Sequence, residues 1–267
     1  MAARCPLTHS TMWRNKEKKT HALQIAAAFA IALLLWQVAA MSVGHTVLLA
    51  SPLDVGTRLF SMLGEGSTYL VLCNSLTRIL LGFFLGLAVG CVAAVIAARF
   101  PLAEILLYPY MITIRSVPVA SFIVLALVWI SAKELSVFIS FLIVLPVIYN
   151  SLLGALKASD RGLHEMAAVF HLSFFAKLRY IWIPEVRAAL LAASTTAVGL
   201  AWKSGVAAEL IGLSDRTIGG ELYSAKLYLD TPALFAWTAL IVAASLASEK
   251  LIVWGMRLIL TKRRTRT

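Results

Sequence analysis

The chain has 267 residues, of which 60% are hydrophobic and only 14% are charged, with a formal net charge of +11. Soluble domains are usually about 25% charged, so the composition excludes an ordinary globular protein and predicts several membrane spans. The three cysteines, Cys5, Cys73 and Cys91, form no CxxC pair, which argues against a disulfide framework or a zinc site.

Six apolar stretches are long enough to cross a bilayer as helices, each of which needs about 20 residues. No alternating pattern typical of a membrane barrel is present, so we predict an all-α membrane protein with about six transmembrane helices. The stretches cover residues 22–41, 70–98, 104–130, 136–156, 187–208 and 232–260. They define a transmembrane domain over residues 22–260, between terminal tails at 1–21 and 261–267.

The first stretch follows basic residues at 13–19, as a secretory signal peptide would. Its apolar part is about 20 residues long, which exceeds the roughly 7–15 residues of a signal-peptide core. We therefore predict a retained first span.

The placement of positive charge predicts the orientation. Fifteen Lys and Arg residues fall in segments on the same side as the N-terminus, and four fall on the other side: Arg58, Lys133, Arg216 and Lys226. Cytoplasmic segments carry the excess of Lys and Arg, so both termini are predicted in the cytoplasm. The same asymmetry explains the net positive charge without a nucleic-acid partner.

The second span carries Gly82, Gly86 and Gly90 at intervals of four residues. Small residues at this spacing lie on one helix face and let two helix backbones approach closely. Packing within one chain is favoured over a contact between two copies.

The third stretch contains Pro109 and Pro118, which each remove a backbone donor and are expected to bend the helix. Arg115 and Ser116 lie between them. Irregular backbone at membrane depth is tolerated where it lines a wet cavity, which makes both residues candidates for a translocation pathway. The alternative is that Arg115 lies nearer the membrane surface and extends its charge to the interface.

An amphipathic segment at residues 157–186 separates the fourth and fifth spans. Asp160 is a candidate N-cap, and one apolar face of the short helix that follows is predicted from the spacing i, i+3, i+4, i+7. Its members are Leu163, Met166, Ala167 and Phe170. Ser173 is predicted to start a second short helix, which ends before Pro184.

This segment resembles the EAA motif of the membrane subunits of ABC transporters, which reads E-A-A, three residues, G, nine residues, I, one residue, L-P. The residues that match at the family spacing are Glu165, Ala167, Ile181 and Pro184. Met166, His171 and Ile183 depart from the pattern. His171 is the most consequential departure, because glycine at its position would permit a tight turn.

Three further segments are similar to permeases of the nitrate, sulfonate and taurine uptake group. They are "NSLTRILLGFFLGLAVG" at 74–90, "RSVPVASFIVLALVWIS" at 115–131 and "GLAWKSGVAAELIG" at 199–212. The resemblance implies a type I ABC importer permease fold with a cytoplasmic coupling helix, in a bacterial inner membrane. It also implies a dimer of membrane subunits, an external solute-binding protein, and two separate ATPase subunits that bind ATP and magnesium.

On this resemblance the chain is a transport subunit without catalytic residues, metal or cofactor of its own. The sequence contains no GxxxxGK[ST] phosphate loop, as expected if ATP is hydrolysed by a partner. The residues expected to contact the ATPase are Leu163, Glu165, Met166, Ala167, Phe170 and His171. The alternative for the large apolar ones, Leu163, Met166 and Phe170, is packing against the chain's own helices.

The fifth stretch contains Lys203, with Glu209 near its outer end. Charges inside spans usually face a partner or a cavity, and a separation of six residues puts these two about 240° apart around a helix. Together with Arg115, Lys203 would favour an anion such as a sulfonate, nitrate or bicarbonate, although members of the wider group also move neutral or cationic heterocycles. Residues 213–231 are predicted outside, with a turn at Gly219-Gly220. The resemblance implies that they form part of an external gate, and the alternative is a simple connector.

Two rival interpretations are an integral-membrane enzyme and an ATP-independent channel or secondary transporter. An enzyme of this kind needs clustered acids or a nucleophile with its base, and the 13 acidic residues are scattered. A secondary transporter is favoured by an inverted internal repeat, which the sequence does not reveal.

Overall fold

A computed structural model of the chain describes residues 9–159 and 161–261. All regular structure in these residues is helical, which confirms the all-α prediction. The α-helices in chain order are α1 His9–Val43, α2 Pro52–Leu63, α3 Gly66–Arg99, α4 Pro101–Ser116, α5 Val119–Ala126, α6 Ala132–Lys157, α7 Arg161–Val169, α8 Phe174–Lys177, α9 Ile183–Ile211, α10 Ile218–Leu227 and α11 Thr231–Thr261. A π-helix, Leu178–Trp182, joins α8 to α9.

Four helices among the described residues are long and apolar enough to cross a membrane, and the pair α4 and α5 makes a fifth if it is one span. The four segments are Gln24–Val43, Gly66–Arg99, Ala132–Lys157 and Thr231–Leu258. The remaining predicted span, 187–208, lies in α9, which is 29 residues long but does not pass this test. Thr195, Thr196 and Lys203 add polarity to α9, although much of the rest of this helix is buried against α3, α6 and α11.

The core forms where α3, α6 and α9 pack together. Its largest cluster includes Ile79 and Phe83 of α3, Ile148 of α6 and Trp202 of α9, all almost fully buried. Dense packing of such side chains supplies most of the contact energy between helices in a membrane, where water does not drive association.

The glycines of α3 lie against α6 of the same chain. A Cβ atom added at Gly82 would stand 2.4 Å from the carbonyl oxygen of Val137. Additions at Gly86 and Gly90 would stand 2.8 Å and 3.0 Å from atoms of α6. Glycine at these three positions therefore allows α3 and α6 to approach more closely than any residue with a Cβ atom would permit.

The third apolar stretch is broken, and the break lies at one of the two prolines. The axes of α4 and α5 differ by 103°, and Val117 before Pro118 is extended, with φ −81° and ψ 133°. A residue before proline is pushed out of the helical region, which explains the break. The expected bend at Pro109 does not end the helix, since Pro109 lies inside α4.

Three helical regions, in α1, α2 and α10, go beyond the predicted elements. The helix α1 begins at His9, so much of the predicted tail at 1–21 is helical; residues 1–8 and the end of the C-terminal tail, 262–267, lie outside the described residues. The helix α2 was not predicted, although its capping box is readable in the sequence: the Ser51 side chain accepts from the Asp54 amide, and Asp54 accepts from the Ser51 amide.

Candidate functional site

The segment 157–186 forms a helical hairpin at one end of the bundle. It consists of α7, a turn, α8 and the π-helix, which continues into α9. Ser173 starts the second arm, with its hydroxyl accepting from the Ala176 amide at 3.3 Å. The predicted second helix ends before Pro184, as α8 and the π-helix do at Trp182, but the helical backbone does not stop there and continues into α9. Proline lacks the amide hydrogen that a continuous α-helix needs, and the chain passes this point by widening into a π-helix just before it.

The turn between the two arms places His171 in the left-handed region, with φ 47°. The Leu172 amide donates to the Ala167 carbonyl at 3.0 Å, which is the six-to-one bond of a Schellman helix end. Glycine is the residue that usually occupies this position, because a Cβ atom is strained there. His171 thus adopts the backbone conformation that the glycine of the EAA pattern would provide.

Replacing His171 by glycine is expected to stabilise the chain by about 1 kcal/mol, because the strain of a left-handed non-glycine residue is removed. Replacing it by valine is expected to destabilise the chain by about 1–2 kcal/mol. Thermal unfolding of the detergent-solubilised protein measures both shifts. Leu172→Gly is the matched control and should lower the stability, because Leu172 is not among the left-handed residues. Equal shifts for glycine at 171 and 172 would contradict the assignment of the turn.

An exposed face formed by α7 and the residue that follows it combines one acid with three large apolar side chains. Met166, Val169 and Phe170 are 48%, 75% and 72% exposed, and Glu165 is also exposed. We call these four residues the coupling surface. This exposure does not favour the alternative in which Met166 and Phe170 pack against the chain's own helices. Large exposed apolar groups of this kind mark interaction sites.

The other residues predicted for this site have different environments. Ala167, in the first arm of the hairpin, is fully buried, whereas His171 is exposed at the tip. Asp160 and the side chain of Leu163 lie outside the described residues. Val169 was missed from the sequence, although its place three residues after Met166 on an amphipathic helix is a readable signal.

Lys203 lies on a narrow exposed stripe of α9. The other exposed members of this stripe are Ala188, Ala192 and Thr196, which share one helix face at spacings of four residues. The opposite face of α9 is buried against α3 and α6. Lys203 therefore points away from the core of its own chain, into lipid, a cavity or a partner.

Glu209 occupies the opposite environment and is completely buried. Its Oε2 accepts hydrogen bonds from the Ser75 hydroxyl at 2.8 Å and from the Gly219 amide at 3.2 Å. The Ile218 amide in turn donates to the Ser75 oxygen at 2.9 Å. The Glu209 side chain thus links the first turn of α10 to α3. Glu209 and Lys203 lie on different faces of α9, as the sequence predicted.

Two further hydrogen bonds connect the loop between α9 and α10 to α3. Arg78 donates to the Ser214 hydroxyl at 2.8 Å, and the Asn74 amide group donates to the Arg216 carbonyl at 3.0 Å. Asn74, Ser75 and Arg78 were not predicted as partners of this region. They are more than 130 residues away in sequence, and no local pattern in the chain relates them to it.

The predicted turn at Gly219-Gly220 is wrong, because both glycines belong to the first turn of α10. A Cβ atom at Gly219 would stand 2.4 Å from the Cβ of Glu209, and one at Gly220 would stand 2.3 Å from the Ser214 carbonyl oxygen. The two glycines permit a close approach of α10 to the end of α9.

Arg115 and Ser116 are exposed at the last turn of α4, immediately before the bend. Among residues 9–159 and 161–261, no group of three His, Cys, Asp or Glu side chains is placed to hold a metal ion.

Comparison with known proteins identifies relatives over most of the chain. Residues 86–265 match the family described as binding-protein-dependent transport system inner membrane component. An aliphatic sulfonates transport permease protein of Bacillus subtilis is 26% identical, over 78% of this chain and 75% of the relative. The taurine transport system permease protein of Escherichia coli is 24% identical, over 89% and 88%. The riboflavin transport system permease protein of Chloroflexus aurantiacus is 26% identical, over 87% and 90%.

The family match begins within α3 and extends through α11, so it includes the bent pair, the hairpin with its coupling surface, and Glu209 with the first turn of α10. The relatives are transport permeases, which favours a transport subunit over the membrane-enzyme and secondary-transporter alternatives. The chain therefore belongs to the inner-membrane components of binding-protein-dependent transport systems, and it is a permease subunit of an ABC importer rather than an enzyme.

Proposed function

We propose that two copies of this chain form the membrane channel of an importer for a small anion. An external binding protein delivers the solute, and two separate ATP-binding subunits, which hold the ATP and magnesium, bind the coupling surfaces from the cytoplasm. Membership of the family implies both kinds of partner. The pairing of identical subunits and the orientation, with both termini inside, are parts of the proposal.

The observation that carries the proposal is the exposed coupling surface. It lies on a hairpin that is joined directly to α6 at one end and to α9 at the other. A partner that moves this hairpin therefore acts on two helices of the core at once. The charge asymmetry supports a cytoplasmic hairpin, since the excess of Lys and Arg marks the cytoplasmic side.

The choice of an anion rests on Lys203. A charged side chain in a membrane helix is costly unless it faces a partner or a wet cavity, and the exposed stripe of α9 offers Lys203 such a cavity between two subunits. The stripe is otherwise made of small residues, Ala188, Ala192 and Thr196, which leave room for a solute. Two of the relatives are named for sulfonates and taurine, which carry an anionic group, while a third is named for riboflavin.

Replacing Lys203 by methionine tests the proposed solute class. Methionine keeps the length and removes the charge, so the KM for uptake of an aliphatic sulfonate should rise about tenfold, equivalent to about 1.4 kcal/mol of lost interaction. Uptake of the radiolabelled solute by cells that express the complex measures this change. Lys250→Met, at an exposed position of α11, is the matched control. Unchanged sulfonate uptake by the Lys203 variant would remove this residue from the pathway.

A further inference from the structure

The base of the hairpin makes a polar contact with α4. Lys157, the last residue of α6, places its Nζ 2.5 Å from Oε1 of Glu104, in the first turn of α4. Both side chains are only partly buried. The contact therefore joins the end of α6, where the hairpin begins, to the start of the helix that leads into the 103° bend.

A second contact closes the hairpin at its base. The Ser159 hydroxyl donates to Oε2 of Glu185 at 2.5 Å. Ser159 lies at the start of the hairpin segment, just before α7, and Glu185 lies at its other end, in the first turn of α9. The entrance and exit of the hairpin are thus held together.

These two contacts limit how the hairpin can move. Because this hydrogen bond joins its two ends, the hairpin resists opening at its base when a force acts on the coupling surface. The force is passed to α6 and α9 instead. The Glu104–Lys157 contact extends it to α4, which has backbone continuity with α3 and packs on α3 and α6.

The helix α4 is a suitable recipient of such a movement. At its far end Val117 is extended and the chain turns sharply into α5, which contacts α6 and α9. A break of this kind lets α4 tilt relative to α5, because backbone torsions at the break absorb the change. Arg115 and Ser116 lie at this break.

We propose that Glu104 and Lys157 are positioning residues that transmit the movement of the hairpin to α4 and so couple ATP hydrolysis to the opening of the permease. This inference rests on the proposed docking of ATP-binding subunits on the coupling surface. The ion pair acts through helix position and touches neither solute nor nucleotide.

The test uses the whole complex with its cognate ATP-binding subunits and binding protein, reconstituted in proteoliposomes. The readout is the factor by which the binding protein, purified with its natural solute, stimulates ATP hydrolysis. Partly exposed ion pairs are weak, so Glu104→Lys and Lys157→Glu are each expected to reduce this factor about two- to fivefold. The exchanged pair, with both substitutions in one chain, should restore it.

Arg99→Glu is the matched control, since it reverses a charge at the end of α3, where Arg99 lies over the Phe100 ring. Its stimulation factor should equal that of the wild type. Co-purification of the ATP-binding subunits is measured in parallel and should be unchanged in every variant. Single variants with wild-type stimulation, or an exchanged pair that fails to recover, would overturn the inference while leaving the proposed docking intact. A wild-type chain that retains no ATP-binding subunit would overturn the proposed function and the inference together.

Discussion

Phe170→Asp is expected to reduce solute uptake at least about 30-fold without removing the protein from the membrane. Phe170, the residue that follows α7, is 72% exposed and belongs to the coupling surface with Met166 and Val169. Loss of a central aromatic contact in an interface costs about 2 kcal/mol or more, and an aspartate would also have to be buried without a partner. The measurement is uptake per molecule of membrane-inserted protein, determined by immunoblotting of washed membranes.

Phe170→Leu is the conservative control and should retain most of the uptake, because it keeps an apolar side chain at the same position. If Phe170 contacts the ATP-binding subunit, the aspartate variant that loses uptake should also lose this subunit during purification. An aspartate variant that still binds this subunit and still transports at the wild-type rate would show that the exposed face of α7 serves another purpose.

Gly82→Val is expected to prevent stable folding. An added Cβ atom would stand 2.4 Å from the Val137 carbonyl oxygen and 2.7 Å from the Ser140 side chain. Backbone atoms cannot move aside as a flexible side chain can, so α3 and α6 would have to separate, at a cost of about 3 kcal/mol or more. The expected result is aggregation in detergent and a strongly reduced yield of monodisperse protein in size-exclusion chromatography.

Gly255→Val provides the matched comparison for this prediction. Gly255 also lies in a long helix, α11, and an added Cβ atom there has no neighbour within 4 Å. The same change of residue type is therefore made once with the steric conflict and once without it. If both variants show the same yield and unfolding temperature, the close approach of α3 and α6 is not a requirement of the fold.

Much of this architecture could be predicted because its causes are local. Runs of apolar residues predict membrane helices by length alone, and small residues at intervals of four predict a close helix contact. The hairpin was predictable in outline, since the apolar spacing from Met166 to Phe170 and the N-cap at Ser173 depend only on neighbouring residues. Even the unusual His171 was readable as a turn position, because the resemblance places glycine there.

The remaining features depend on contacts between distant parts of the chain. The partners of Glu209 come from Ser75 and from the first turn of α10, and no periodicity relates them. The sequence predicts that the helix stops before Pro184, because proline ends an isolated α-helix. In the structure a π-helix precedes Pro184 and the helical backbone continues. The burial of Glu209 and the exposure of Lys203 follow from which faces of α9 meet α3 and α6, and this choice is made by packing of the whole bundle.

The central claim is that the hairpin at 157–186 receives the movement of an ATP-hydrolysing partner. Its most direct test is site-specific crosslinking from Val169 in a chain whose Cys5, Cys73 and Cys91 have been replaced by serine. Val169 is 75% exposed, so a Val169→Cys variant should form a covalent adduct with the ATP-binding subunit in inside-out membrane vesicles. If no such adduct forms, and the cysteine reacts instead with impermeant reagents added to the outside of intact cells, the hairpin does not receive the ATP-binding subunit in the cytoplasm.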